Sequence, residues 1–220
     1  MTEKKGPNRI IILIVVGLML VFFPVLSVYM SSSGLQAYKK MKAELKIYGD
    51  SIKIPYSALR SQSNEGISTE AFKGKVTIVQ FYEKDCKACE ESFSELKRVQ
   101  SEFIEKARRR VAILSIPLNA DSVQALVEQI KTMDIDTMTW TLATTDSSSI
   151  QKLVNQDYKM GGLDLNNHVA LVDINGILVN HYDLKDKVQV NKMMEHIALL
   201  IPAKKDRKRI KFKQEKEQYK

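Results

Sequence analysis

The two cysteines of this 220-residue chain fall in one four-residue stretch, Cys86-Lys87-Ala88-Cys89. Sulfurs at this spacing support several chemistries. As a dithiol they exchange with another disulfide: one thiolate attacks, and the second, one helical turn on, resolves the mixed disulfide. As two thiolates they can hold Cu(I), which prefers soft sulfur, and an added imidazole would suit Cu(II). As a closed pair they form a structural disulfide, which an oxidising compartment permits. A structural zinc site is the remaining reading. It needs four ligands, and beyond the cysteines the chain offers only His168, His181 and His196 as histidines.

The surrounding elements decide how the pair is presented. Val76-Thr77-Ile78-Val79-Gln80-Phe81-Tyr82 is an almost continuous apolar run, the pattern of a strand covered on both faces. From Cys89 to about Lys106, Phe93, Leu96, Val99 and Phe103 recur at three and four residues and predict one face of a helix. Cys86 is thereby delivered to a helix N-terminus, where unpaired amides and the dipole favour a thiolate. Lys84 and Lys87 act in the same direction, while Asp85, Glu90 and Glu91 oppose them. Cys86 is the expected attacking sulfur and Cys89 the resolving one.

A βα alternation surrounds this junction. Residues 52–59 read as a short strand, and 61–66 as a polar loop. Residues 111–116 form a strand ended by Pro117, and Ala120-Asp121-Ser122 can cap a helix carrying Val123, Leu126, Val127 and Ile130. Trp140 to Thr144 reads as a strand with Trp140 in the core, and Ser147–Ser149 open a helix through Ile150, Leu153 and Val154. Asp173-Ile174-Asn175-Gly176 joins strands 169–172 and 177–182 as a hairpin, and a last helix over 188–200 stops at Pro202. These elements predict an α/β fold, a central mixed sheet with helices on both faces. His181 is expected to face outward from the hairpin and His196 to sit on a helix face. Met133, Met138, Met160, Met193 and Met194 read as packing residues. Gly161-Gly162 reads as a mobile loop before His168.

The ends of the chain speak to location. Residues 10–30 are uncharged and rich in Ile, Leu, Val and Phe; as a helix they span about 30 Å, enough to cross a bilayer. Lys4, Lys5 and Arg9 precede them, so the positive-inside rule keeps residues 1–9 in the cytoplasm. A single-pass anchor in the inner (cytoplasmic) membrane is expected, with the domain in the periplasm or outside. Behind it come a linker (31–50), one domain (51–202) and a basic tail (203–220). The tail holds nine Lys/Arg against three acids, most of the chain's net +8. The domain itself is near neutral, so the charge gives no argument for a nucleic-acid partner.

The order of elements, with a Cys-x-x-Cys at the first strong strand–helix junction, resembles the thioredoxin fold. Residues 74–100 around the cysteines, Trp140 to Asp146, and Val169 to Asp183 with their Asp173-Ile174-Asn175-Gly176 turn are similar to the Sco/SenC family. Those are membrane-anchored copper chaperones of cytochrome c oxidase assembly. The resemblance implies copper as cofactor, Cys86, Cys89 and His168 as its ligands, and a respiratory oxidase subunit as partner. The same frame, with Ser94-Glu95-Leu96 beyond the cysteines, also resembles the ResA/TlpA thiol–disulfide oxidoreductases. That resemblance implies Cys86 and Cys89 as catalytic residues and exported proteins such as apocytochromes as substrates. The chain departs from both patterns. Its cysteines are one residue closer than the Sco Cys-x-x-x-Cys, and the position of the family's histidine, counted from Asp173, is Leu165. Where the oxidoreductases carry a proline facing the cysteines, it has Asn166-Asn167-His168. A thioredoxin-fold binding module with purely structural cysteines is the third function class.

Overall fold

A computed structural model describes residues 59–83, 86, 89–107, 110–119 and 122–201, together with 17–24, 26, 36, 39, 40, 43 and 45. Residues 1–44 and 45–220 form separate compact units. In the first, residues 17–24 and 26 are helical. Leu18, Met19, Leu20, Val21, Phe22 and Phe23 each leave more than half of their surface exposed, so this segment buries little against its own unit. Among the described residues no helix is long and apolar enough to cross a membrane. Most of the expected span 10–30 lies outside the described residues. So do residues 52–58, most of the linker, the basic tail, and Lys84, Asp85 and Lys87 beside the cysteines.

In the second unit, a six-stranded sheet has the order β1-β4-β3-β2-β5-β6. Its strands are β1 (Arg60–Ser61), β2 (Val76–Tyr82), β3 (Val111–Pro117), β4 (Trp140–Thr144), β5 (His168–Val172) and β6 (Leu178–Asp183). β2, β3 and β4 run parallel, while β5, β6 and the short β1 are antiparallel to their neighbours. Every residue of β2 and β3 is buried, as their continuous apolar runs predict for strands covered on both sides. The helices are α1 (Cys89–Ala107), α2 (Val123–Met133), α3 (Ser147–Lys152) and α4 (Lys187–Leu200). This is the α/β, thioredoxin-like arrangement with a mixed sheet between helical layers.

Strand alternation divides the core in two. On one face Val76 and Ile78 of β2, Ile113 of β3, and Val169 and Leu171 of β5 meet Leu96 and Val99 of α1, Leu126 of α2, and Met193 and Ile197 of α4. On the other, Val79, Phe81, Leu114, Ala170 and Val172 meet Ile150 of α3 and Leu153, Val154 and Tyr158 beyond it. Trp140, with no exposed surface, anchors the first of these cores.

Local chemistry sets the element ends. The Asp146 carboxylate caps α3 by accepting the Ser149 N–H (2.9 Å) and Ser149 hydroxyl (2.7 Å). These bonds hold it well below the usual carboxylate range, the Ser148 hydroxyl contributing most. At α2 the N-cap is Ser122, but its side chain makes no cap bond. α3 does not carry on as an α-helix through Leu153 and Val154; it widens into a π-turn, Leu153–Asp157. Of the two glycines that follow, Gly161 lies close to Asn155, while Gly162, at φ +87°, has open space where a Cβ would stand. Met160 N–H bonds the Val154 carbonyl at 2.8 Å, and a Cβ on Gly161 would stand 2.5 Å from Asn155 Oδ1. The hairpin turn forms as expected, with Gly176 at φ +80° and the Asp173 carboxylate accepting Asn175 and Ile177 N–H at 2.8 Å each. Met160 and Met193 are buried, whereas Met138, in the turn before β4, is 76% exposed.

Candidate redox site

Cys86 and Cys89 are joined as a disulfide with Cα atoms 5.3 Å apart. Cys89 opens α1, and its N–H bonds the Cys86 carbonyl at 3.0 Å, closing the first turn. Burial separates the two sulfur-bearing residues. Cys89 is 2% exposed, while Cys86 is half-buried and faces solvent. Cys86 is thus the more accessible residue of the pair, at the head of α1.

An aromatic floor supports the pair. Phe93, one turn into α1, meets the Tyr82 ring edge-on at 5.1 Å and stacks on Trp140 at 6.1 Å. Polar groups under this floor are paired in sequence: Trp140 Nε1–H donates to Ser115 Oγ (2.9 Å), and the Ser115 hydroxyl to Gln80 Oε1 (3.2 Å). The Tyr82 hydroxyl donates to Gln129 Oε1 of α2 at 2.8 Å. Burial pushes the Tyr82 phenol far above its usual range, so it stays protonated and remains a donor. Beside the sulfurs lies a groove of about 500 Å³, lined by Tyr82, Phe93, Ala125 and Met133 and rimmed by Glu83, Glu90 and Glu128.

The segment before β5 reaches the same end of the sheet. Asn166 Oδ1 accepts the Glu83 N–H at 2.8 Å, and Asn167 Oδ1 accepts the Ser92 hydroxyl at 2.9 Å. His168 does not join the sulfurs. It shares its strand face with Ala170 and Val172, in the layer opposite α1, and its Nδ1 lies 3.0 Å from the Asp164 carbonyl oxygen. No histidine lines the groove at the disulfide. Among the described residues no group of three or more His, Cys, Asp or Glu side chains could hold a metal ion. Leu165, the position of the Sco histidine by the count from Asp173, packs against the core of that opposite layer.

The other histidines are more buried than their neighbours suggest. His181 Nε2–H bonds the Tyr158 carbonyl at 2.7 Å, tying β6 to the end of the π-turn, and so it faces inward rather than outward. Burial is the main cause that lowers its basicity; the bond to Tyr158 opposes this and nearby His168 adds to it. His196 has no exposed surface and meets the Tyr182 hydroxyl through Nδ1. Its spacing of three from Met193 was the available signal for that inward position. Ser92 and Gln129 carried no such signal, because their partners lie 75 and 47 residues away.

Fold and site together define a thioredoxin-like domain carrying a Cys-x-x-Cys disulfide at the head of its first long helix. Among solved structures it is similar to a SCO1/SenC family lipoprotein from Bacillus anthracis (TM-score 0.59, 18% identity, 69% of this chain and 96% of that one). It is also similar to yeast Sco1 with copper bound (0.54, 20%, 70% and 97%). A third is BsSco, a member of the Sco family of cytochrome c oxidase assembly proteins in which a disulfide switch has been identified (0.52, 16%, 66% and 94%). At these identities the likeness is one of fold. No protein-family model matches the sequence, and no curated protein matches it.

Proposed function

We propose that this chain is a membrane-anchored thiol-redox factor of the Sco type, acting in cytochrome c oxidase assembly on the thiols of a respiratory oxidase subunit. The apolar segment 10–30 supports the anchor, and the positive charges before it support a domain in the periplasm or outside. One observation carries the reading: the Cys86–Cys89 disulfide sits at a helix N-terminus with one partly buried and one fully buried cysteine. In the dithiol form, the Cys86 thiolate attacks a partner disulfide and expels one partner thiolate. Cys89 then displaces the second, closing Cys86–Cys89, and two electrons have passed to the partner. Reversal of the same steps oxidises a partner dithiol.

Copper delivery is the second reading, favoured by the copper-bound Sco1 of the same fold. Here copper is cargo. The reduced pair supplies two adjacent soft donors, a set that fits Cu(I). With His168 on the opposite layer, the described residues supply no imidazole to complete a Cu(II) site.

Two experiments test these readings. Replacing the chain in its own cells by Cys86→Ser is expected to abolish its contribution to oxidase activity; full activity would overturn the proposal. Anaerobic Cu(I) titration of the reduced full chain then separates the two. One-to-one binding lost in Cys86→Ser/Cys89→Ser and unchanged in His168→Ala supports copper as cargo. Absence of tight binding leaves thiol exchange alone.

A further inference from the structure

The cysteine segment is held at both ends by one dipeptide, Asn166-Asn167, just before the neighbouring strand β5. The β2–β5 ladder ends at the pair Gln80 and Val169. Beyond it the strands are linked by a side chain, Asn166 Oδ1 accepting the N–H of Glu83, just before the cysteine segment. After that segment, Ser92 is fully buried in the first turn of α1 and donates its hydroxyl to Asn167 Oδ1. Asn167 is itself only 3% exposed. Adjacent asparagines thus point to opposite ends of the stretch 84–91 that carries Cys86 and Cys89.

The grip is itself braced. Asp164 accepts the Asn166 N–H through Oδ1 (3.2 Å) and the Asn167 Nδ2–H through Oδ2. Its carbonyl takes the N–H groups of Asn167 (3.1 Å) and His168 (2.9 Å). From the other side, Leu184 N–H bonds the Asn167 carbonyl at 2.8 Å. With its Nδ2 committed to Asp164, the Asn167 amide turns its oxygen toward Ser92.

We infer that Asn166 and Asn167 are positioning residues for the redox pair, holding strand exit and helix entry at the separation that keeps Cys86 and Cys89 closed. The inference rests on the proposed thiol exchange and adds which residues set its equilibrium. A dithiol confined by the clamp loses little freedom on closing; an unclamped one loses more, so its disulfide is less favoured.

The test equilibrates the full chain in detergent with glutathione. Each disulfide takes two electrons and two protons from two glutathione thiols, giving the Cys86/Cys89 dithiol and one glutathione disulfide. Ser92→Ala and Asn166→Ala are each expected to shift this equilibrium toward the dithiol by roughly three- to tenfold, the scale of one hydrogen bond. Asn167→Ala shifts it at least as far, and adding Ser92→Ala to it changes little more. Asn167→Ala and Ser92→Ala each leave a buried polar atom of that pair without its partner and risk misfolding, whereas Asn166→Ala breaks a bond at an exposed position and does not share that risk. Wild-type equilibrium constants in these variants would overturn the inference. If the wild-type pair itself fails to exchange, the proposed function falls, and thermal unfolding of oxidised and dithiothreitol-reduced forms still reads the clamp. Greater loss of stability in the oxidised form supports it, and equal loss in both forms overturns it.

Discussion

On the α1 face of the sheet, polar groups gather around sulfur: Tyr82 with Gln129, Trp140 with Ser115 and Gln80, and Ser92 with Asn167, which reaches across from β5. On the opposite face the polar groups brace backbone instead. His181 holds the Tyr158 carbonyl at the end of the π-turn, and His168 lies against the Asp164 carbonyl. The contrast separates two kinds of donor that a copper(II) site would need together. The disulfide lies at the head of α1, while the imidazoles of β5 and β6 lie against backbone carbonyls.

The contrast can be broken most forcefully at Trp140. Its truncation in Trp140→Ala empties the floor beneath Phe93 and leaves Ser115 without its indole donor. A loss of about 3–5 kcal/mol is expected in denaturant unfolding, in oxidised and reduced protein alike. A loss confined to one redox form would mean that the floor, and not the asparagine clamp, sets the equilibrium.

A smaller effect is expected on the opposite face. His181 is less basic in the folded chain because it is buried, so the unfolded chain binds the proton first as pH falls. Its contribution to stability is therefore present above the ordinary histidine value of about 6.5 and is lost as pH drops toward the folded value. Thermal unfolding between pH 7 and 5 should show this fall, and His181→Gln should flatten it. An unchanged pH profile would remove His181 from its bracing role.

The smallest change concerns Thr77, the second residue of β2, 1% exposed and with its hydroxyl unpaired among the described residues. Thr77→Val keeps the shape and removes the buried hydroxyl. It should stabilise the domain by about 1 kcal/mol without altering thiol exchange. Destabilisation would show that the hydroxyl has a partner.

Much of this arrangement was legible in the chain because its signals are local. The continuous apolar runs of β2 and β3 state that both faces are covered, Asn175-Gly176 states the hairpin, and the spacing of Phe93, Leu96, Val99 and Phe103 states the buried stripe of α1. The cysteine pair was legible for the same reason. The histidines were harder, since which face His168 or His181 occupies depends on the register of two strands with their neighbours. The clamp was hardest. Asn166-Asn167 stands out only as the absence of a proline, and Ser92 as an ordinary helical serine, until the fold brings them together.

The central claim is the proposed division of labour within the pair: the more accessible Cys86 attacks and buried Cys89 resolves. Its most direct test exposes the reduced full chain, as Cys89→Ser and as Cys86→Ser, to glutathione disulfide, with the adduct located by mass spectrometry. Cys89→Ser is expected to hold a stable glutathione adduct on Cys86 with release of one glutathione thiol, and Cys86→Ser to form almost none. Equal adduct formation on Cys89 in the Cys86→Ser chain would contradict the assignment.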